Sequence, residues 1–215
     1  MRIVIAGGHG KIAMILSSQL SVAGHHPVGI IRNAAHAAEL KATGAEPLVL
    51  DLEQSDVEHL STALAGADAV VFAAGAGPNS GAERKLTVDR DGAILLANAA
   101  VAAGVRRMIV VSAIGTDDFD ADSDDQMQVY LRAKSEADAA VRATDLDYTI
   151  VRPGGLTDDE PTGLVTVGET VERGNIPRAD VAAVIAQLIE DGSAPRTQFE
   201  LVSGSTPIAS ALHEL

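Results

Sequence analysis

Residues 2–13 read RIVIAGGHGKIA, a short apolar run that ends in Gly7, Gly8 and Gly10 and leads into a helical pattern. An apolar run of this length, with β-branched residues and a glycine cluster behind it, reads as a buried strand closed by a tight turn. A helix that starts at such a turn leaves its first backbone N–H groups without partners, and its N-terminus carries positive potential. Glycines beside those N–H groups let an anion come close, the arrangement that binds the diphosphate of a dinucleotide. Two registers fit the spacing, Gly8-x-Gly10-x-x-Ala13 and Gly7-x-x-Gly10-x-x-Ala13. On either, Gly7, His9, Gly10, Lys11 and Ile12 lie at the anion.

The rest of the chain repeats the alternation of strand and helix. Strands are expected near 2–6, 28–32, 47–51, 69–73, 107–112 and 147–151, and helices near 11–23, 34–43, 55–64, 82–103, 127–143 and 178–190. A further strand near 198–202 and a helix from about 207 complete the pattern. The runs VVFAA, MIVVS and YTIV are apolar on both faces, as a parallel sheet covered by helices requires. The predicted fold is α/β: a doubly wound parallel sheet of the Rossmann type, helices on both faces, ligand at the carboxyl ends of the strands. The chain reads as a single domain over 1–215, with an irregular Gly-, Pro- and Thr-rich part at 153–177 in which a strand is expected near 164–167.

Composition narrows the function. The net charge of −14 disfavours nucleic acid and anionic membranes as partners. With 2% aromatic residues and no Trp, the core is aliphatic and stacking platforms are few. No cysteine is present, which removes disulfides, thiolate metal sites and cysteine nucleophiles. No metal site is expected. The N-terminus lacks a signal-peptide pattern and no run reaches membrane-spanning length, so a cytoplasmic protein is expected.

The strand ends supply the remaining candidates. Arg32 and Asn33 close the second strand, where an acid would accept from the adenosine ribose of NAD. An arginine there suits the 2′-phosphate of NADP, so NADP is expected ahead of NAD; the competing reading is a solvated arginine. Asp51 and Leu52 follow the third strand, suited to the adenine amino group and ring, or to a helix N-cap. Ala73, Ala74 and Gly75 follow the fourth strand and let backbone run beside a nucleotide.

Tyr130 and Lys134 form the sharpest signal. The chain has Tyr130 and Tyr148 as its tyrosines and Lys11, Lys41, Lys85 and Lys134 as its lysines. A chance Y-x-x-x-K is therefore expected about 0.04 times. One helical turn separates the two side chains, so the ammonium lowers the phenol pKa and readies Tyr130 to exchange a proton with a carbonyl or alcohol. An ordinary amphipathic pair is the alternative. Ser112, at the end of the fifth strand, faces the same cleft as an oxyanion stabiliser, or bonds nearby backbone.

Taken together these residues resemble the short-chain dehydrogenase/reductase superfamily, in its small atypical NAD(P)-binding branch related to NmrA-like and epimerase-like proteins. The resemblance runs through GGHGKIA, the IRN strand end, LDLE, VVFAAGAG, VVSAIG, YLRAK, LDYTIVRPGGLT and IPRADVA. It implies cofactor contacts from Pro153, Gly154, Gly155 and Leu156 at the nicotinamide end, and a structural role for Arg178 and Asp180. Ala13 replaces a third glycine, and Asp89 stands where extended members carry an asparagine. The implied activity is an NADP-dependent oxidoreductase moving hydride to or from a small carbonyl or alcohol. Alternatives are a non-catalytic redox sensor acting through a protein partner, and a small epimerase or isomerase. The acidic stretch 115–126, if it overhangs the cleft, favours a neutral substrate.

Overall fold

The computed structural model describes residues 1–77 and 80–215. Its first strand, β1 (Arg2–Ala6), shows why the sheet is buried on both sides. Ile3 and Ile5 face one apolar layer, while Val4 and Ala6 face another. Alternate side chains of a strand point to opposite faces, so a strand apolar at every position needs cover on each.

β2 (His26–Ile31), β3 (Glu46–Val49), β4 (Ala69–Phe72), β5 (Arg107–Val111) and β6 (Asp147–Pro153) extend the same sheet. Two short strands, β7 (Gly155–Thr157) and β9 (Asn175–Pro177), pair with each other in parallel. β8 (Leu164–Gly168), β10 (Thr197–Ser203) and β11 (Thr206–Pro207) return to the main sheet. Its order is β11-β8-β10-β6-β5-β4-β1-β2-β3, nine strands among the described residues. From β3 to β10 the neighbours are parallel; β8 and β11 join antiparallel at one edge. The reversal of strand order lies between β1 and β4, where an open α/β sheet places its ligand.

The helices are α1 (Lys11–Val22), α2 (Ala37–Ala42), α3 (Val57–Ala63), α4 (Ala82–Arg84), α5 (Gly92–Ala103), α6 (Gln126–Arg142), α7 (Arg178–Asp191) and α8 (Ile208–Leu212). Leu16 and Leu20 of α1 pack with Val184, Ile185 and Leu188 of α7 over Ile3, Ile5 and Val71. Leu60 of α3, Leu96 and Ala100 of α5 and Val141 of α6 cover the other face over Val4, Val70 and Met108. The parallel sheet with helices on both sides is the expected Rossmann-type fold.

Two regions differ from the sequence-based expectation. The helix expected over 82–103 is interrupted: Lys85–Asp91 is wound as a π-helix between α4 and α5. Such wide turns gather at functional sites because they re-aim side chains, and here Lys85, Val88 and Asp89 are all buried. The region 153–177, expected to be irregular apart from a strand near 164–167, contains that strand as β8 and, beyond it, β7 and β9.

Candidate functional site

The glycine turn separates into distinct jobs. Gly7 adopts φ +79°, and a Cβ there would stand 2.5 Å from Ala74 Cα. Gly8 is packed on β2: its N–H donates to Ile30 O at 2.8 Å, and a Cβ would meet Gly29 Cα at 2.7 Å. Gly10 is the N-cap of α1, with extended backbone and no side-chain cap. Its N–H closes the turn on Gly7 O at 2.8 Å. Among the described residues, the N–H groups of Lys11, Ile12 and Ala13 have no backbone acceptor. A helix of 12 residues thus opens with free donors and no acid in its first turn, above a turn whose one side chain is that of His9. These residues fit a diphosphate. Gly7 and Gly10 line the cavity in front of the turn and Gly8 does not, the spacing of Gly7-x-x-Gly10-x-x-Ala13.

That outer cavity, about 320 Å³, is lined by Gly7, His9 and Gly10, by Arg32, Asn33 and His36, by Asp51 and Leu52, and by Ala73, Ala74 and Gly75. Asn33 accepts from Ala35 N at 3.0 Å and Asp51 from Glu53 N at 3.0 Å, so each also caps a short helical turn. His9 stacks on His36 with ring centroids 3.8 Å apart, and its Nε2 lies 2.9 Å from Glu39.

Glu53 and Arg84 also line this cavity, and the sequence reading missed both. Glu53 Oε2 accepts from Arg84 at 2.9 Å and from Arg32 at 3.1 Å, while Thr87 donates to Oε1 at 2.7 Å. The Arg84 hydrogen bond, with that of Thr87, holds the Glu53 carboxyl below its ordinary range. An acid therefore stands beside Arg32 after all, delivered by the turn after β3 instead of the end of β2.

The inner cavity, about 460 Å³, shares Ala73, Ala74 and Gly75 with the outer one. Its further lining includes Ile12, Lys85, Asp89, Ser112, Tyr130, Lys134 and Leu156. α6 presents Tyr130 and Lys134 one turn apart, as the spacing predicts. Asp125 starts that helix by accepting from Met127 N at 2.8 Å. Lys134 is buried; its Nζ donates to Val111 O at 3.0 Å, lies 3.5 Å from Asp89 Oδ1 and 5.9 Å from the Tyr130 ring centroid. Asp89 Oδ2 accepts from Ala76 N at 3.0 Å, which ties the lysine to the loop after β4.

The phenol differs from expectation. Burial raises the Tyr130 pKa above its ordinary value; Lys134 opposes this, and Asp89 and Asp138 reinforce it. Taking a half-buried phenol out of water disfavours the phenolate, and Asp89 cancels much of the Lys134 charge. Tyr130 is therefore a protonated acid at neutral pH.

Ser112 departs in a similar way. It lines the inner cavity, but its hydroxyl donates to Asp138 Oδ2 at 2.8 Å. A hydroxyl has one proton, and in this arrangement it is directed at Asp138, where the sequence reading expected it to face a substrate oxygen. Asp138 lies one further turn along the Tyr130–Lys134 face and is fully buried. It is held by Arg152, whose Nε lies 3.0 Å and Nη2 2.9 Å from Oδ2. Burial nevertheless raises the Asp138 pKa, against the pull of Arg152 and Ser112. Arg152 also holds Asp117, keeping that carboxyl low.

Four predicted cofactor contacts lie outside both cavity linings. Lys11 is exposed and pairs with Asp158, which also takes Arg178 at 2.7 Å. Pro153 ends β6, in the sheet. Gly154 and Gly155 serve close backbone approach instead: a Cβ would stand 2.2 Å from Gly174 O at the first and 2.2 Å from Asn175 Oδ1 at the second. Leu156 does reach the inner cavity. Asp180 has the structural role expected, accepting from Thr162 N and Gly163 N at 2.9 Å. None of the aspartates of the acidic stretch lines either cavity, which removes the local ground for a neutral substrate.

Residues 7–192 match the model of the NAD(P)H-binding family. A Bacillus subtilis (strain 168) protein called an uncharacterized sugar epimerase, YhfK, is 36% identical over 216 residues, covering 100% of both chains. A solved structure of a putative NAD-dependent epimerase/dehydratase from Bacillus halodurans superposes with a TM-score of 0.93 at 42% identity, covering 100% of each chain. The structure of the oxidoreductase ylbE from Lactococcus lactis gives a TM-score of 0.86 at 29% identity, covering 100% of this chain and 96% of that one. No helix among the described residues is long and apolar enough to cross a membrane.

Proposed function

The chain belongs to the NAD(P)H-binding family, and from that premise we propose that it is an NADP-dependent oxidoreductase acting on a small carbonyl or alcohol. One observation carries the reading: the cavity at the glycine turn and the cavity holding Tyr130 and Lys134 adjoin, with Ala73, Ala74 and Gly75 in the lining of both. A dinucleotide laid along that seam has its diphosphate on the N-terminus of α1, its adenosine in the outer cavity and its nicotinamide in the inner one.

In the outer cavity, Arg32 and Arg84 bring two guanidinium groups against the single carboxylate of Glu53. Asp51 and Glu53 together balance the two arginines of this lining, so the preference for a 2′-phosphate rests on the paired guanidinium groups themselves, which bind phosphate strongly. Glu53 is equally placed to accept from a ribose hydroxyl, so the balance between NADP and NAD is set by that one acid.

The bound cofactor supplies or accepts the hydride. Tyr130, protonated at neutral pH, gives its proton to the carbonyl oxygen as the hydride reaches the carbonyl carbon, and solvent restores it. Lys134 stabilises the phenolate left behind, and Asp89 holds Lys134 in place. A proton donor is what carbonyl reduction needs, so reduction is the favoured direction near pH 7.

NADPH oxidation followed against aldehydes, ketones and quinones tests the reading. Turnover that falls in Tyr130→Phe while NADPH binding persists supports it. Conversion of a substrate with no net NADPH consumption is the behaviour of an epimerase and contradicts it. Unchanged turnover in Tyr130→Phe rejects the tyrosine as the acid.

A further inference from the structure

Lys85 is 7% exposed, lines the inner cavity and stands with its Nζ 5.5 Å from the centroid of the Tyr130 ring. Lys134, in the same cavity, has Asp89 and Val111 O as partners. Among the described residues Lys85 has no hydrogen bond and no ion pair. The lining thus holds two ammonium groups and one carboxylate, Asp89, which Lys134 occupies. The same lining carries Ile12, Val111 and Leu156 together with Ser112 and Gln126.

An ammonium that faces a cavity with its stem buried and no ion-pair partner gains more from a matching anion than one on the open surface, where solvent screens the pair. A chain with net charge −14 supplies acids elsewhere in abundance, yet leaves this cation open to the cavity. The dinucleotide, on the reading above, places its phosphates at the α1 N-terminus and near Arg32, so none of them neutralises Lys85.

We propose that Lys85 binds a carboxylate of the substrate and selects its class: a carbonyl compound that also carries an acid group. The carbonyl lies at the Tyr130 hydroxyl and the acid at Lys85 Nζ. One ammonium matches one singly charged carboxylate; a doubly charged phosphate would leave a buried charge uncompensated. Lys85 is then a specificity-determining residue, distinct from the proton donor.

This inference rests on the oxidoreductase reading for the position of the carbonyl, but its binding test does not need turnover. NADP-saturated protein is titrated calorimetrically with benzoate and with benzamide, which differ in charge and little in shape. Benzoate is expected to bind at least about tenfold tighter, a difference of about 1.4 kcal/mol. Lys85→Met, similar in length and apolar, is expected to abolish the difference while NADP affinity stays within twofold; Lys85→Arg keeps the preference. Equal affinity for acid and amide, binding of neither, or a benzoate preference that survives in Lys85→Met overturns the proposal. Loss of NADP binding in Lys85→Met also overturns it, since the lysine would then be a cofactor ligand. If Lys85→Met does not fold, the wild-type comparison decides alone. If the wild-type protein binds no NADP, the oxidoreductase reading fails, and the same titrations on the free protein still judge Lys85.

Discussion

The two cavities use charge in opposite ways. In the outer one, Arg32 is exposed and shares Glu53 with Arg84, so its charges sit in water and can exchange partners. In the inner one, Lys85, Asp89 and Lys134 are buried, with Arg152 and Asp138 behind them. Removing one partner of an ion pair costs little where solvent screens it and about 3–5 kcal/mol where burial leaves the other charge uncompensated. The outer cavity therefore tunes which dinucleotide is held, while the inner one fixes a proton donor and a cation at set positions. Substitutions should separate along that line.

The largest expected effect is Tyr130→Phe, which removes the proton donor and keeps the ring. Turnover should fall about 10²–10⁴-fold with NADPH affinity nearly unchanged, read by steady-state kinetics and fluorescence titration. Because burial raises the Tyr130 pKa, carbonyl reduction should hold through neutral pH and fall only above the ordinary phenol range, with alcohol oxidation rising there instead. Asp89 contributes to that rise, so Asp89→Asn should move the alkaline limb to lower pH. A limb that stays put would show that Asp89 and Tyr130 are not coupled.

Next comes Arg152→Met, which leaves Asp138 buried without its partner. We expect a loss of about 3 kcal/mol in denaturant unfolding near pH 7. Asp138 already has a raised pKa, so the variant binds a proton more tightly folded than unfolded. Its stability is present below the ordinary carboxylate range and is lost as pH rises through the folded value. The gap from wild type should therefore narrow in acid, and a gap that widens there would break the contrast between cavities.

Arg32→Ala acts at the exposed side and should be milder. NADP affinity is expected to fall about tenfold, or about 1.4 kcal/mol, with NAD affinity little changed. Equal losses for the two would assign Arg32 to the shared part of the cofactor. Smallest is Lys11→Ala. Its pair with Asp158 is exposed, so stability should change by less than about 0.5 kcal/mol and NADP affinity should hold. A large loss of NADP affinity would return Lys11 to the cofactor site.

Much of the fold was legible because its signals are local. The run at 2–6 and its glycine turn, VVFAA, MIVVS and YTIV each declare a buried strand, and Tyr130 and Lys134 share a helix face by spacing alone. What stayed hidden depends on contacts between distant segments. Glu53 meets Arg32 and Arg84 only after β3 and the turn before the π-helical segment reach the same sheet edge. Asp138 continues the spacing of Tyr130 and Lys134, and Lys85 is as rare a residue as Lys134, so both were within reach of the argument that found the pair. Gly154 and Gly155 looked like cofactor contacts, but a glycine marks any close approach, and here the neighbours are Gly174 and Asn175. Ser112 lines the inner cavity, but the direction of its hydroxyl depends on Asp138, which no local pattern announces.

A crystal structure of the complex with NADP tests the central claim most directly. The account predicts the adenosine 2′-phosphate beside Arg32 and Arg84, the diphosphate on the first N–H groups of α1, and the nicotinamide in the inner cavity facing Tyr130. A cofactor that enters only one cavity, or a nicotinamide directed away from Tyr130, would contradict it.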